Sequence, residues 1–309
     1  PAGALCVGRC AMKYTQQRGI TLPELLIALS VGGLLLLGLS QLLVTSHRGQ
    51  GVQDNATELN ERGMALLDYL ARQLRSAGTL GCPKIQMTLV DGTGLNPPWD
   101  AVHTLRAYDN TLGNLPAPFA STQTLAGTDA IYIQKADANV TALVSDIAAG
   151  SSSLPLTSRP SYDKAERWVI SDCTGAEVFM TANSNSSVMR STTALSRAFA
   201  TGARLAQHVP LLYSVRRQNG VTTLYENTQP IADYIYDLQI QFSIGGAYVE
   251  ADELSDFTQV RGVKISLLLG SEQDHLTQQP YQDPAFRASD RRLYRRVETT
   301  VFLRGFADE

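Results

Sequence analysis

An uncharged apolar run extends over residues 25–44 and reads LLIALSVGGLLLLGLSQLLV. As an α-helix, about 20 residues at about 1.5 Å each just cross a hydrocarbon core about 30 Å thick. The run therefore predicts one membrane-spanning helix. Lys13 and Arg18 precede it, whereas Asp54 and Glu58 follow it. Because positive charge stays on the cytoplasmic side, we expect the N-terminus in the cytoplasm and the rest of the chain across the membrane.

The residues just before the run limit what kind of signal it is. A cleaved secretory signal has a shorter apolar stretch that ends in a small-residue A-x-A site, and none follows here. A plain signal anchor and a processed leader both remain open. The junction holds a basic leader, then Gly19, and then one carboxylate, Glu24, at the edge of the apolar run. A charge costs about 2.5 kcal/mol or more when it is carried deep into a membrane, so we expect Glu24 to have a partner.

Cleavage after Gly19 would supply such a partner. Ile20 would then carry a free α-amino group, four residues or about one helical turn before Glu24. The ammonium of a neighbouring subunit can neutralise Glu24 in a low-dielectric bundle, where an unpaired charge is penalised. The alternative interpretation is that Glu24 only stabilises the first turn of a helix.

The segment Gly19-Ile20-Thr21-Leu22-Pro23-Glu24-Leu25 resembles the G-F-T-L-x-E-L processing motif of type IV prepilins. The resemblance implies cleavage after Gly19 and N-methylation of Ile20 by a membrane-embedded prepilin peptidase. It also implies a role of Glu24 in subunit assembly. Ile20 replaces the usual Phe, and Pro23 is tolerated because the first-turn N–H groups of a helix have no intrahelical acceptor. Residues 1–19 would be the leader, with residues 1–11 a start-site artefact upstream of Met12.

The pattern beyond the span predicts an α+β protein with a pilin-like architecture. An apolar stripe at spacings of three and four continues the helix, so we expect one long helix over residues 20–78 that ends at Gly78. The stripe consists of Val52, Ala56, Leu59, Gly63, Leu66, Leu70, Leu74 and Ala77. The remainder, residues 79–309, is predicted as one β-rich periplasmic domain packed on the second part of that helix. The dipeptide Asn219-Gly220 between two alternating apolar runs predicts a β-hairpin.

Cysteine usage agrees with export. Cys6 and Cys10 lie in the predicted leader, which leaves Cys82 and Cys173 in the processed chain. Two cysteines in an oxidising periplasm predict one disulfide bond between them. A free buried thiol and a metal ligand are the alternatives, but there is no C-x-x-C pair to support a metal site.

Four further segments resemble minor pilins of the PilW type, in the order that those proteins have them: residues 74–82, 171–179, 260–269 and 295–303. The resemblance implies a minor pilin that helps prime or cap type IV pilus assembly. Its expected partners are other minor pilins, the major pilin, the prepilin peptidase and the inner-membrane assembly machinery. It would reside in the bacterial inner membrane and then in the pilus, near the tip. The open alternatives are a pseudopilin J-like subunit of a type II secretion system and a signal-anchored periplasmic binding protein or enzyme.

No enzyme motif is found in the sequence, and we predict neither catalytic residues nor cofactors nor metal ligands. The net charge of −3 gives no basic face for nucleic acid, so nucleic-acid binding is not expected. Asp233, Asp237 and the acidic run 250–256 show no ligand spacing and are interpreted as solvated loops. The arginines of the 291–296 segment are interpreted as a solvated strand face. The four histidines are predicted to be surface or hydrogen-bonded residues.

Overall fold

The computed structural model describes residues 21–79, 88–94, 104–112, 115, 119–172, 174–254, 257–284 and 286–303. The chain divides into two compact units, residues 1–52 and 53–309. One helix, α1 (Leu22–Arg75), contributes to both units. The long N-terminal helix and the β-rich domain confirm the predicted α+β class.

The described strands, in chain order, are β1 (Thr88–Asp91), β2 (Leu105–Tyr108), β3 (Ala130–Ala142), β4 (Ser153–Pro155), β5 (Arg167–Ser171), β6 (Gly175–Met180), β7 (Val188–Arg190), β8 (Arg204–Gln218), β9 (Val221–Glu226), β10 (Gln229–Asp233), β11 (Ile235–Ile244), β12 (Ala247–Val249), β13 (Gly262–Gly270) and β14 (Tyr294–Phe302). Two short 3-10 helices follow β12, namely η1 (Ala251–Glu253) and η2 (Phe257–Gln259).

The larger sheet has eight strands and is organised around the long strand β8. Its main order is β1-β6-β5-β8-β3-β2, and β9 pairs with β8 and with β10. The first residues of β8 pair with β5, and its last residues pair with β9. Neighbouring strands are antiparallel except β1 and β6, which are parallel. A four-stranded antiparallel sheet has the order β12-β11-β13-β14, and β4 and β7 form a third, two-stranded sheet.

The main hydrophobic core lies where the second part of α1 packs on both large sheets. The helix contributes Leu59, Leu67, Leu70, Ala71, Leu74 and Ala77. The sheets contribute residues such as Ile133 of β3, Leu267 of β13 and Val297 of β14. Burial of the four leucines contributes about 6 to 12 kcal/mol as an upper bound.

A close approach of helix and sheet explains one glycine of the predicted stripe. A Cβ atom at Gly63 would lie 3.0 Å from both Cγ atoms of Val297, which is tighter than nearly all real contacts. The stripe predicted from the sequence is correct at Leu59 and Gly63 but wrong at its start, because Ala56 is exposed. Leu67 does not belong to the predicted stripe but is buried. The helix packs on both large sheets and therefore buries a wider face than a single stripe.

The strand predictions are correct where apolar and polar residues alternate clearly in the sequence, and they fail where no such alternation is visible. Asn219 and Gly220 both have positive φ, at 51° and 84°, and connect β8 to β9 as the predicted hairpin. In contrast, β2 lies inside the stretch of residues 96–118, whose prolines predict an irregular segment. Four residues are too few to show a period, and β2 is fixed as an edge strand by its pairing with β3.

Candidate functional site

The first part of α1 is apolar and uncovered. The residues Leu22–Leu43 form a candidate membrane span, of which nothing is buried inside the protein. The large apolar side chains of this segment are between 50% and 76% exposed. Twenty-two helical residues measure about 33 Å, which matches a hydrocarbon core of about 30 Å. Such a surface requires lipid or the apolar helices of other subunits around it.

Both serine hydroxyls within this segment are satisfied by the helix itself. The hydroxyl of Ser30 donates to the carbonyl of Ile27 at 2.9 Å, and the hydroxyl of Ser40 donates to the carbonyl of Leu37 at 2.8 Å. Hydroxyls bonded back to the preceding turn need no water. The segment can therefore enter hydrocarbon without leaving these donors unpaired.

Glu24 lies in the first turn of α1 and is exposed. One of its carboxylate oxygens lies 3.4 Å from both the backbone nitrogen and the hydroxyl of Thr21, which donate to it. The amides of Glu24 and Leu25 donate to the carbonyl of Thr21 at 3.0 and 3.1 Å, so Thr21 is the N-cap residue of α1, which begins at Leu22. The contact from the Glu24 side chain back to the Thr21 amide is one half of a capping box, and its bonds are long and weak. Within one chain Glu24 thus stabilises the helix start, and its charge stays unpaired among the described residues.

The end of α1 is fixed to the large sheet by hydrogen bonds. The amide of Gly78, which has a φ of 69°, donates to the carbonyl of Gln134 at 2.9 Å. The amide of Ala136 donates to the carbonyl of Thr79 at 3.1 Å. Together these bonds pair residues 78 and 79, which follow the helix, with residues 134–136 of β3. The helix itself ends at Arg75, three residues before the predicted end, and Gly78 adopts the left-handed conformation that suits glycine in the turn that follows.

Aromatic contacts stabilise the middle of the packed part of α1. The ring of Tyr69 lies edge-on to the ring of Tyr213, with centroids 6.4 Å apart. Both hydroxyls donate to the same carboxylate oxygen of Glu226. Burial and the hydrogen bond to Glu226 raise the pKa of Tyr69 and of Tyr213 above the usual value, so both phenols stay protonated donors. The packed part of α1 is thereby held to the domain by polar as well as apolar contacts.

The other four predicted site residues lie outside the described residues. These are Gly19 and Ile20 at the processing site and both cysteines of the predicted disulfide, Cys82 and Cys173. Cleavage, methylation and the disulfide therefore stay predictions.

Several acidic and basic residues of the domain are more buried than the sequence analysis predicts. Asp237 is buried rather than solvated, and Arg296 forms an ion pair with it at 3.0 Å. Glu250 is half-buried and lies beside Asp109 and Asp129, two acids that the sequence analysis did not single out. The interpretation as solvated loops and as a solvated strand face is wrong at these positions. The pairing register of the sheets decides which charges meet, and sequence spacing does not show that register.

The histidine prediction is confirmed at the buried position. His208 is buried, and its Nε2 lies 2.8 Å from Oε1 of Gln134. Burial lowers the pKa of His208 to about 3, so the ring is neutral at physiological pH. This histidine is a hydrogen-bonded core residue on paired strands.

Residues 14–40 match the family described as the prokaryotic N-terminal methylation motif. This match and the uncovered apolar helix support a type IV pilin-like or pseudopilin protein that is anchored in a membrane. The motif implies processing by a prepilin peptidase and assembly with pilus or secretion machinery. No curated protein matches the chain significantly.

Proposed function

We propose that this chain is a minor pilin of the PilW type, which is cleaved after Gly19 and helps prime or cap type IV pilus assembly with other minor pilins and the major pilin. One observation carries the proposal: the methylation motif, from Leu22 onward, lies on a helix whose entire first part is apolar and uncovered, with a single carboxylate in its first turn. A helix of this kind anchors the subunit in the inner membrane and then packs among the helices of other subunits.

The positions of the PilW-like segments support the minor pilin rather than an unrelated anchored domain. Two of them fall on β13 and β14, which are paired along their full lengths. A third covers the end of β5 and most of β6, which are also paired. The fourth includes the end of α1 and Gly78, which joins the helix to β3. The segments therefore belong to contiguous parts of one folded unit.

The position of Cys173 gives the proposed disulfide a topological basis. Cys173 comes two residues before Gly175, and Cys82 comes six residues before Thr88. Thr88 and Gly175 are register partners of the parallel pair β1 and β6. Because parallel strands start at the same end of a sheet, the first residues of β1 and β6 lie side by side, and we propose that the two cysteines that shortly precede them in the sequence are linked.

Direct analysis of the mature N-terminus tests the proposed processing. In cells with an active prepilin peptidase, mass spectrometry should find a chain that begins with N-methylated Ile20. A chain that keeps Gly19 joined to Ile20 would leave a signal-anchored domain as the remaining interpretation. A Gly19→Leu variant serves as the control, since it should keep its leader and still insert in the membrane.

A pseudopilin of a type II secretion system is the second candidate, because the same methylation motif supports it. A deletion strain separates the two functions. Loss of surface pili with normal protein secretion would support the minor pilin. Normal piliation with loss of protein secretion would support the pseudopilin. No catalytic role is proposed for either.

Replacing Glu24 tests its role in assembly. We expect Glu24→Ala to insert in the membrane normally but to lose most of its crosslinking to other pilins, because the neighbour's α-amino group loses its counter-charge. Glu24→Gln separates charge from capping, since the amide oxygen can still accept the bonds from Thr21. Under the pairing role Gln behaves like Ala, and under capping alone it behaves like the unmodified protein. Glu61→Ala removes an exposed acid of the same helix and should change nothing.

A further inference from the structure

A cavity of about 740 Å³ opens where the loop before β3 meets the hairpin of β8 and β9. We call it the arginine pocket, because Arg216 and Arg217 line it and are its only charged residues within the described part of the chain. Half of its lining residues are neutral side chains with a hydroxyl or an amide, among them Thr122, Gln123 and Gln218. The volume is that of a typical ligand pocket. The pocket is therefore positive, although the whole chain has a net charge of −3.

The side chain of Arg216 is half-buried and is held in one position. Its Nε donates to Oγ of Ser214 at 3.1 Å, and its Nη2 donates to the carbonyl of Asn227. The guanidinium lies over the ring of Tyr225, 4.7 Å from the centroid, and the hydroxyl of Tyr225 donates to Oε1 of Gln218 at 2.7 Å. Within the described residues these bonds use two of the five N–H donors of the guanidinium, so three donors remain for a ligand.

Neither arginine of the pocket has an acidic partner. None of the ion pairs between described residues includes Arg216 or Arg217. Burial lowers the pKa of Arg216 below its usual value, because the charged form loses hydration that no carboxylate replaces. Charged groups that are removed from water are paired in most folded proteins. An anionic group of a ligand is therefore the partner that these arginines lack.

A second cavity, of about 310 Å³, adjoins the arginine pocket and shares Arg217 with it. Arg287 lines this second cavity, is exposed, and likewise takes part in no ion pair among the residues that the structure describes. The two acids there, Asp237 and Asp290, form ion pairs with other arginines at 3.0 and 3.2 Å. Arginines without an acidic partner thus occur along both cavities, with Arg217 common to the two.

We propose that the two cavities bind an acidic polysaccharide, a chain of sugars that carry carboxylate groups. A guanidinium binds a carboxylate through two parallel hydrogen bonds, and the contacts of Arg216 fix its orientation in advance. The hydroxyl and amide side chains of the arginine pocket both donate and accept hydrogen bonds, as sugar hydroxyls do. Because Arg217 lines both cavities, neighbouring acidic sugars of one chain can occupy the two together. Neither cavity includes a residue of α1, so the site is independent of the proposed role in pili.

The surroundings of the arginines favour a sugar polymer over single-stranded nucleic acid, which binds by stacking its bases on free aromatic rings. Tyr225 is 8% exposed and is covered by Arg216. Phe119 packs against Tyr108 and Tyr132, with centroids 6.1 and 4.8 Å apart. The three aromatic rings of the second cavity pack against one another. The net negative charge of the whole chain also disfavours a polyanion as densely charged as nucleic acid.

Titration calorimetry of the detergent-solubilised full chain tests the site, at an ionic strength of about 0.15 M to screen unspecific attraction. The probe is pentagalacturonic acid, and maltopentaose is the uncharged control of the same length. We expect saturable binding of the acidic sugar and no binding of the neutral one. No binding of pentagalacturonic acid, or equal binding of maltopentaose, would overturn the proposal. Tighter binding of pentathymidylate or of pentaglutamate would also overturn it, since the site would then take nucleic acid or an acidic peptide.

Two variants locate the binding. Arg217→Gln removes the charge that both cavities share, and because this side chain is exposed, the variant should melt at the temperature of the unmodified protein. We expect its affinity for pentagalacturonic acid to fall by about tenfold or more, which is the loss of one charge-assisted hydrogen bond. Arg295→Gln removes an exposed arginine of β14 outside both cavities and should bind like the unmodified protein. Unchanged affinity of Arg217→Gln, or an equal loss in Arg295→Gln, would overturn the proposal.

Discussion

In oxidising buffer, Cys82→Ser is expected to lower the free energy of unfolding by about 4 to 5 kcal/mol. The proposed disulfide would close a loop of about 90 residues, and the entropy that such a crosslink removes from the unfolded chain has this magnitude. In reducing buffer, the variant and the unmodified protein should unfold at the same denaturant concentration. Chemical denaturation of the processed protein in each buffer measures the difference in free energy of unfolding between the variant and the unmodified protein.

The partner cysteine supplies the matched control. Cys173→Ser should cost as much as Cys82→Ser, and the double variant should cost no more than either, because all three lack the same bond. Equal stability of the unmodified protein in oxidising and reducing buffer would contradict the disulfide. A single variant that is destabilised equally in both buffers would indicate a buried free thiol instead.

Arg296→Ala is expected to lower the free energy of unfolding by about 3 kcal/mol, because it leaves a buried carboxylate without its counter-charge. The guanidinium lies 3.0 Å from Asp237 and 2.8 Å from Asp283, and it also donates to the hydroxyl of Ser266. The Asp237 side chain is 5% exposed and the Arg296 side chain 23%, so water screens this pair little. Urea titration at pH 7 measures the loss.

The adjacent strand residue gives the control for Arg296. Arg295 is exposed and points to the opposite face of β14, so Arg295→Ala should change stability by less than about 0.5 kcal/mol. A loss for Arg296→Ala as small as that for Arg295→Ala would contradict the structural role.

The effect of Arg296→Ala should also depend on pH. Burial by itself raises the pKa of Asp283, but the bonds from Arg296 and from the amide of Phe286 lower it below its usual value in total. A carboxyl with a lowered folded pKa stabilises the protein above its unfolded pKa of about 3.9, and this stability is lost as pH falls through the folded value. The difference between the variant and the unmodified protein should therefore shrink below about pH 4.

Local patterns were enough to predict the elements with strong periodicity. The span, the turn at Gly78 that follows α1 and the hairpin at Asn219-Gly220 each depend on neighbours in sequence, such as an apolar run or a glycine that tolerates positive φ. Glu24 could be singled out in the same way, because a lone acid at the start of an apolar run is conspicuous. The sequence also left the capping role of Glu24 open as an alternative, and the bonds to Thr21 support it within a single chain.

The sequence could not show which distant residues meet. Arg296 was one of several arginines in a polar segment until the pairing of β11, β13 and β14 placed it beside Asp237. Likewise, nothing in the spacing of Asp109, Asp129 and Glu250 predicts their convergence, because their positions are fixed by the packing of two sheets. Charges that lie far apart in the chain can be paired only by the strand register, which is a property of the fold.

The amino-acid sequence by itself thus determined the apolar membrane segment, the processing motif and the α+β class, since each follows from the chemistry of consecutive residues. Only the tertiary structure decided which face of α1 is buried, where the ion pair of Arg296 lies and where three carboxylates converge. The physical reason is that hydrophobic periodicity acts within a segment, whereas burial and ion pairing depend on distances between segments that only folding brings together.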